Sequence, residues 1–419
     1  MAKIMKELLK FFKEFIQNNG LFVFSAMLIA KLSMLIINIA AARLIPKEEF
    51  GLIALVFSVF AIFAPLTGLG SYQGLLRYGV LEKDQHSRDH LSQYVFHKGL
   101  FNHIAVFFMF LGISYIYTLK YGDLKIIILL FGIRILGYYF QNFIESYYRI
   151  NHNNKTFAWV NISINLGGLV MAFIGMFLWG LIGYLIAMAI MPWISLIFLK
   201  RNIFVHNNFA LNINKKEFWK YSLHGSMTYF LSDILFSMDF LLIGLLLSEN
   251  DLAMYKTAII IPMNLSILPL VFMQTDYPKL AKNYQNKNYL NYYIKNYYKI
   301  FIPLGVVILF IGWMIQDDIV SWIFGEKYAG NGSVFIIILF ALVGNMWLRN
   351  LYGNLASAVG KANWNTYTSL IGLSVILMLG LWLIPLYGIV GAAFSMAGAF
   401  TCTGIVTAVL FKKYLKNLD

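Results

Sequence analysis

Apolar and polar positions along this chain fall into long blocks. Runs of twenty or more mostly apolar residues alternate with short polar stretches such as 81–93, 200–217 and 279–291. A helix that crosses the hydrocarbon core of a bilayer needs about 20 apolar residues. The blocks predict about twelve such helices, near 20–42, 50–76, 95–118, 124–148, 156–178, 181–199, 218–247, 252–277, 292–315, 333–357, 364–385 and 387–411. The first junction reads AARLIPKEEFGLIALVFSVFA, residues 41–61. Pro46 has no N–H and clashes with the preceding turn, so one helix cannot run through it. The charges at Lys47, Glu48 and Glu49 require water. The junction is therefore a tight turn at a membrane face.

Composition agrees with this pattern. The chain is 60% hydrophobic, 17% aromatic and 12% charged, against roughly 25% charged in a soluble domain. An all-α polytopic membrane protein is the predicted class. The net charge of +14 reflects cytoplasmic loops and contact with anionic membrane lipids, not nucleic acid. Cys402 stands alone in an apolar run and cannot form an internal disulfide. No Cys/His cluster points to a metal, and no cofactor is expected. In MAKIMKELLKFFKEFIQNNG, lysines 3, 6, 10 and 13 oppose Ile4, Leu8, Phe12 and Phe15 at helical spacing. Residues 1–19 are read as an amphipathic helix in the membrane interface, not a cleaved signal.

Lysine and arginine set the orientation. With the N-terminus inside, the inward segments carry Arg77, Lys83, Arg88, Arg149, Lys155, Lys200, Arg201, Lys279 and Lys282, among many others. The outward segments carry only Arg43, Lys47, Lys120, Lys125, Lys256 and Lys327. Both termini are expected in the cytoplasm.

The halves of the chain also match. WGLIGYLIA at 179–187 aligns with YGIVGAAFS at 387–395, placing Gly180 on Gly388 and Gly183 on Gly391. LIPKEEFG at 44–51 corresponds to LSENDLAM at 247–254. Two repeats of six spans share one orientation and are related by a pseudo-twofold along the membrane normal. The expected organisation is the interfacial segment 1–19, an N-terminal six-helix lobe at 20–206 and a C-terminal six-helix lobe at 207–419. This is the plan of an alternating-access carrier, with substrate near the midplane. Pro65, Gly68 and Gly70 in the second span, and Pro262 and Pro269 in the eighth, are the gate or hinge candidates; a static proline kink is the alternative.

Charge inside a span is costly and usually functional. Lys31 lies near the middle of the first span. The seventh carries Ser222, Ser226, Tyr229, Asp233 and Ser237 on one stripe, with Asp239 farther along. The fourth carries Arg134, Tyr138, Gln141, Glu145 and Arg149, and the tenth carries Asn345, Arg349 and Tyr352. Gln73 and Arg77 lie one turn apart in the second. Cations outnumber acids, as a passage for an anion requires. Internal ion pairs, Arg134 with Glu145 and Lys31 with Asp233, are the competing reading.

The stretches AARLIPKEEFGLIAL…GLGSYQGLLRYG, IVSWIFGEKYAG (319–330) and SAVGKANWNTY…IPLYGIVGAAFS (357–395) resemble the polysaccharide-transporter family, the flippases of O-antigen and capsule repeat units. The resemblance covers the whole chain through loose motifs in a specific order. It implies a fold resembling the multidrug and toxin extrusion fold, with two six-helix lobes around a cationic cavity. It further implies an undecaprenyl-diphosphate-linked oligosaccharide as cargo. That cargo moves from the cytoplasmic to the outer leaflet of a bacterial plasma (inner) membrane, upstream of a polysaccharide polymerase in surface-glycan or lipopolysaccharide biosynthesis. The family has no strict signature to transfer. The diphosphate-binding candidates Lys31, Arg77, Arg134 and Arg349 come from the inventory of charges within spans.

Asp233 and Asp239 are the proton-coupling candidates. An arriving diphosphate would compete for Lys31, leaving Asp233 to take up a proton that Asp239 could relay. A drug or cation antiporter of the same fold is the nearest rival, and it should favour acids in the cavity. A membrane polysaccharide polymerase or ligase is the rival of another class; such enzymes carry a large outer loop, which this chain lacks. Asp317 and Asp318 are read as a solvated turn.

Overall fold

The computed structural model describes residues 20–82, 84–204, 213–265 and 267–418. The expected interfacial helix at 1–19 and the expected lobe boundary at 206/207 lie outside the described residues. Among those described, every regular element is a helix. The chain forms two compact units. The first takes the described residues of Met1–Ile45 and Val59–Phe230, the second those of Pro46–Ser58 and Leu231–Asp419.

The first junction forms as its residues dictate. Helix α1 (Gly20–Leu44) is followed after two residues by α2 (Lys47–Phe63). Phe50 N–H donates to the Pro46 carbonyl at 3.0 Å, so Pro46 precedes the first helical residue, where its missing N–H costs nothing. Glu48 and Glu49 fill the first turn of α2, where the helix dipole favours negative charge. After α2 come a distorted stretch at Ala64–Gly70, then α3 (Ser71–Leu81), α4 (Gln85–Ile116), α5 (Leu124–Ile150) and α6 (Asn154–Ile190). The first unit is built largely by α1 lying along α6 and by α5 packing on both α4 and α6. Phe60, Phe96, Phe110, Phe131, Tyr139 and Phe143 fill its interior.

The second junction repeats the first with different chemistry. Helix α7 (Lys215–Leu246) and α8 (Glu249–Leu265) are again two residues apart. Here Asp251 Oδ2 accepts from Ser248 N–H (3.1 Å) and Ser248 Oγ–H (2.6 Å), while Asp251 N–H donates to Ser248 Oγ (3.3 Å). This reciprocal cap closes the start of α8. Within the second unit, the Gly51 α-carbon lies against the Glu249 backbone with no room for a side chain. The chain continues through α9 (Ile267–Lys282), α10 (Lys287–Met314), α11 (Gln316–Phe324), α12 (Gly332–Asn345), a π-helical turn (Met346–Asn350), α13 (Leu351–Ala358) and α14 (Asn363–Lys416).

The sixth and last helices are each two crossings joined at a glycine. Gly180 has φ 56°, ψ −129°, and Gly388 has φ 57°, ψ −138°, a conformation open essentially to glycine. Residues 175 and 183 of a straight helix would be about 12 Å apart along the axis. Here Gly183 and Gly175 meet backbone to backbone, and Gly391 meets Leu383 in the same way. The matched repeat thus has matched geometry, in each unit separately.

Among the described residues nine helical segments are long and apolar enough to cross a membrane, from 23 to 54 residues. Two of them are these hairpins, and α8 with α9 adds 17 and 16 helical residues on either side of residue 266. The total is consistent with twelve crossings. The protein is an all-α, multi-pass membrane protein.

Candidate functional site

In the first unit the second span is unwound in its middle. Pro65 removes a donor, Thr67 is extended (ψ 126°), and Gly68, Leu69 and Gly70 are all left-handed (φ 60°, 52° and 72°). A left-handed leucine is uncommon and strained. Side chains of neighbouring helices occupy the polar groups this exposes. Gly68 N–H donates to His103 Nδ1 at 3.4 Å, so Nε2 carries the proton and donates to the Ile135 carbonyl at 2.9 Å. Asn142 Nδ2 donates to Thr67 Oγ1 (3.0 Å), which itself donates to the Ala64 carbonyl (3.0 Å). Tyr139 stacks on His103 with centroids 5.3 Å apart and donates to the Phe96 carbonyl at 2.7 Å. Three of the five gate candidates, Pro65, Gly68 and Gly70, therefore share one distorted turn. In the second unit Pro262 lies inside α8, and Pro269 lies in α9, which is helical throughout Ile267–Lys282.

The cations of the first unit differ in kind. Lys31 is exposed on α1, while Asn38 is turned to its own helix, donating to the Met34 carbonyl. Arg77 is exposed on α3 with its guanidinium 5.2 Å from the Tyr221 ring centroid. Arg134 is 7% exposed; its Nη1 donates to the Met188 carbonyl at 2.6 Å, and Phe60 and Phe131 flank the guanidinium at 5.1 and 6.0 Å. The sequence explains this bond. The helical partner of the Met188 carbonyl would be the N–H of residue 192, which is Pro192 and has none. Arg134 supplies the missing donor. Glu145 accepts from Gln141 (2.9 Å), and the alternative Arg134–Glu145 ion pair is not formed. Nor is the stripe on α7 uniform. Ser222 and Ser226 are fully buried, bonded to their own helix and packed against Gly70 and Gly74, whereas Tyr229 is 56% exposed.

In the second unit Arg349 sits in the π-helical turn, a distortion frequent at functional sites. Its guanidinium lies 5.3 Å from the Phe236 centroid and donates to Ser369 Oγ at 3.3 Å. Phe236 is three residues past Asp233, so the two share a face of α7. Asp233 is half-buried, and among the described residues no donor reaches its carboxylate. Neither Arg134 nor Arg349 has a carboxylate within ion-pair distance among the described residues. Asp239 is 1% exposed, its Oδ2 accepting from Tyr255 Oη–H (2.6 Å) and its Oδ1 from Phe240 N–H (2.9 Å). Lys256, in the predicted eighth span and counted on its outward side, lies in α8, with its ammonium 5.2 Å from the Phe57 centroid and 5.5 Å from that of Phe240.

The sequence profile described as "Polysaccharide biosynthesis protein" matches residues 16–284, more than half of the chain. The chain belongs to this polysaccharide biosynthesis protein family. A Staphylococcus aureus relative, the capsular polysaccharide biosynthesis protein CapF, is 23% identical over 317 residues, spanning 73% of this chain and 78% of its own. Among solved structures, an inward-facing multidrug resistance MATE family transporter of the MOP superfamily superposes with a TM-score of 0.73 at 16% identity, over 93% of this chain and 95% of that one. The lipid II flippase MurJ in an inward closed conformation gives 0.72 at 14% identity, over 95% and 90%. These likenesses establish the fold of this family member.

Sequence reading overlooked His103, Tyr139 and Asn142, which hold the unwound turn, and Tyr255, which donates to Asp239. Their partners lie far away in the chain or on another helix, so no local pattern marks them. The one available signal was a histidine inside a predicted span, where an ionisable group calls for a named partner.

Proposed function

We propose that this protein is a flippase for undecaprenyl-diphosphate-linked oligosaccharide repeat units, moving them from the cytoplasmic to the outer leaflet of a bacterial plasma membrane by alternating access. The observation that carries the reading is Arg349. Its guanidinium lies within a membrane-crossing element, rests on an aromatic face and is bonded to a neutral hydroxyl. A cation so placed has donors left for an anionic cargo, and the planar fork of arginine matches a diphosphate. Lys31 and Arg77 are the companion cations in this reading. Arg134 ranks after them, because the Met188 carbonyl already takes one of its donors. Membership of a polysaccharide biosynthesis family supports a glycan cargo. The termini are cytoplasmic in this scheme, and a glycan polymerase consumes the product.

The test is deletion of the gene and complementation with wild type, Arg349→Ala and Arg349→Lys. In the deletion strain, lipid-linked repeat units accumulate on the inner leaflet and the surface glycan disappears. Arg349→Ala fails to restore the glycan at normal protein level, and Arg349→Lys restores it in part. Full restoration by Arg349→Ala removes the assignment, and an unchanged distribution of lipid-linked units in the deletion strain removes the flippase reading. A cation or drug antiporter is the second reading, favoured only by the MATE-like fold. It expects efflux of a cationic dye that depends on Asp233 and not on Arg349.

A further inference from the structure

A buried acid and a half-buried ammonium, Asp239 and Lys256, share neighbours in the second unit without touching. Asp239 is held by Tyr255 Oη–H and Phe240 N–H. Lys256 rests on the faces of Phe57 and Phe240, and among the described residues no carboxylate oxygen comes within ion-pair distance of it. Burying two ions is expensive unless they pair or neutralise each other. The two share neighbours: Lys256 is 5.5 Å from the ring centroid of Phe240, whose N–H donates to Asp239, and it follows Tyr255, whose hydroxyl donates to Asp239. Other ionisable groups are sparse here. Tyr255 precedes Lys256 on α8, and α12, which packs on α8, has no ionisable residue. Met396 of α14 touches Tyr255. Glu48 and Glu49 lie about two turns from Phe57 on α2, and Asp317 stands beside Gly332 at the start of α12.

We infer that Lys256 and Asp239 form a proton-exchange site within the second unit. The ammonium leaves the ring faces by a rotamer change of its four-carbon stem. Its N–H bond breaks and an O–H bond forms on Asp239, leaving a neutral amine and a neutral acid, while Tyr255 keeps donating to Oδ2. The proton leaves by the same route, back onto the Lys256 amine, which is only half-buried and exchanges it with water. The geometry suits this because neither ion depends on direct contact with the other, so each has its own support before and after transfer. The inference adds a coupling ion to the flippase reading and rests on it only for the use made of the proton; the exchange itself is read without cargo.

The experiment is pH-difference infrared spectroscopy of the purified full-length protein in liposomes, on wild type, Asp239→Asn, Lys256→Arg and Lys256→Met. Wild type shows a carboxylic-acid carbonyl band that appears on acidification, and Asp239→Asn lacks it. Arginine stays charged, so Lys256→Arg keeps Asp239 ionised and moves the band to lower pH. Lys256→Met, which retains the packing of the stem, keeps the band to higher pH than wild type. A band unchanged in Lys256→Arg or Lys256→Met, or one that persists in Asp239→Asn, overturns the site. Cargo movement that fails in all variants and in wild type would strike the flippase reading and leave these titrations standing.

Discussion

Gly180 and Gly388 turn the chain for one reason and Gly183 and Gly391 allow the turn for another. The first two have positive φ, and open space surrounds the place a Cβ would take. Alanine there meets no atom, and its cost is conformational, about 1–3 kcal/mol. The second two face backbone, so alanine at Gly183 or Gly391 must push the hairpin apart. Melting of the detergent-solubilised protein should therefore fall moderately for Gly180→Ala and Gly388→Ala, and further for Gly183→Ala and Gly391→Ala. Arg134 poses a related question of balance. Methionine in its place relieves a buried charge but leaves the Met188 carbonyl, already deprived by Pro192, without a donor. An unpaired buried acceptor costs about 1–3 kcal/mol. Arg134→Met should lower the melting temperature and the amount of protein in the membrane, whereas Arg349→Ala should leave both near wild type.

At the scale of elements, helix α4 begins outside the apolar blocks and has its own switch. Asp84 precedes it, and its carboxylate accepts from Ser87 N–H (2.8 Å) and Ser87 Oγ–H (2.9 Å). The backbone hydrogen bond from Ser87 is the main cause that lowers the Asp84 pKa below its usual value. A carboxyl whose folded pKa is depressed contributes stability above its unfolded pKa, about 3.9, and loses that contribution as pH falls through the folded value. The Ser87 amide should thus be protected from hydrogen exchange at neutral pH and lose protection only as pH falls through the depressed folded value. Asp84→Ala should lack protection throughout, and an Asp84→Ala profile like that of wild type would show the cap is unimportant. The unwound turn at 64–70 is the opposite kind of element. Its counterpart in the second repeat, α9, is helix throughout Ile267–Lys282, so among the described residues this unwound form occurs in the first repeat and not in α9.

For the whole molecule, the expected topology puts the two ends of each repeat on one membrane side. In a Cys402→Ser background, cysteine at Lys47 should react with an impermeant reagent from outside, and cysteine at Lys282 only after the membrane is opened. Equal labelling of both from outside rejects twelve crossings with cytoplasmic termini. The same orientation would put Phe50 and Tyr328, which meet edge to face at 6.4 Å in the second unit, at the outer surface. That contact joins two of the stretches on which the family resemblance was read, the Pro46 junction and IVSWIFGEKYAG.

The class of fold, the pairing of Gly180 with Gly388 across the repeat and the two tight junctions were legible in the sequence, whereas the turning of the chain at those glycines was seen only in the structure. Apolar length sets a crossing, a missing N–H ends a helix, and glycine alone accepts the backbone at 180 and 388. Family membership was legible too, since motif order survives where identity is low. The partners of the buried polar groups were not. Arg134 could be listed as a charge in a span, but its bond to Met188 links residues 54 apart, and no local pattern separates that bond from an ion pair with Glu145. His103 was invisible beside an apolar run because its role exists only once Gly68 is unwound against it. Lys256 counts in the sequence only as an outward-side charge near the start of a span, and its contacts with Phe57 and Phe240 exist only in the folded unit. Sequence determined which segments cross and where they turn; packing decided which polar groups meet, because burial forces each one to find a partner and the choice is made among residues distant in the chain.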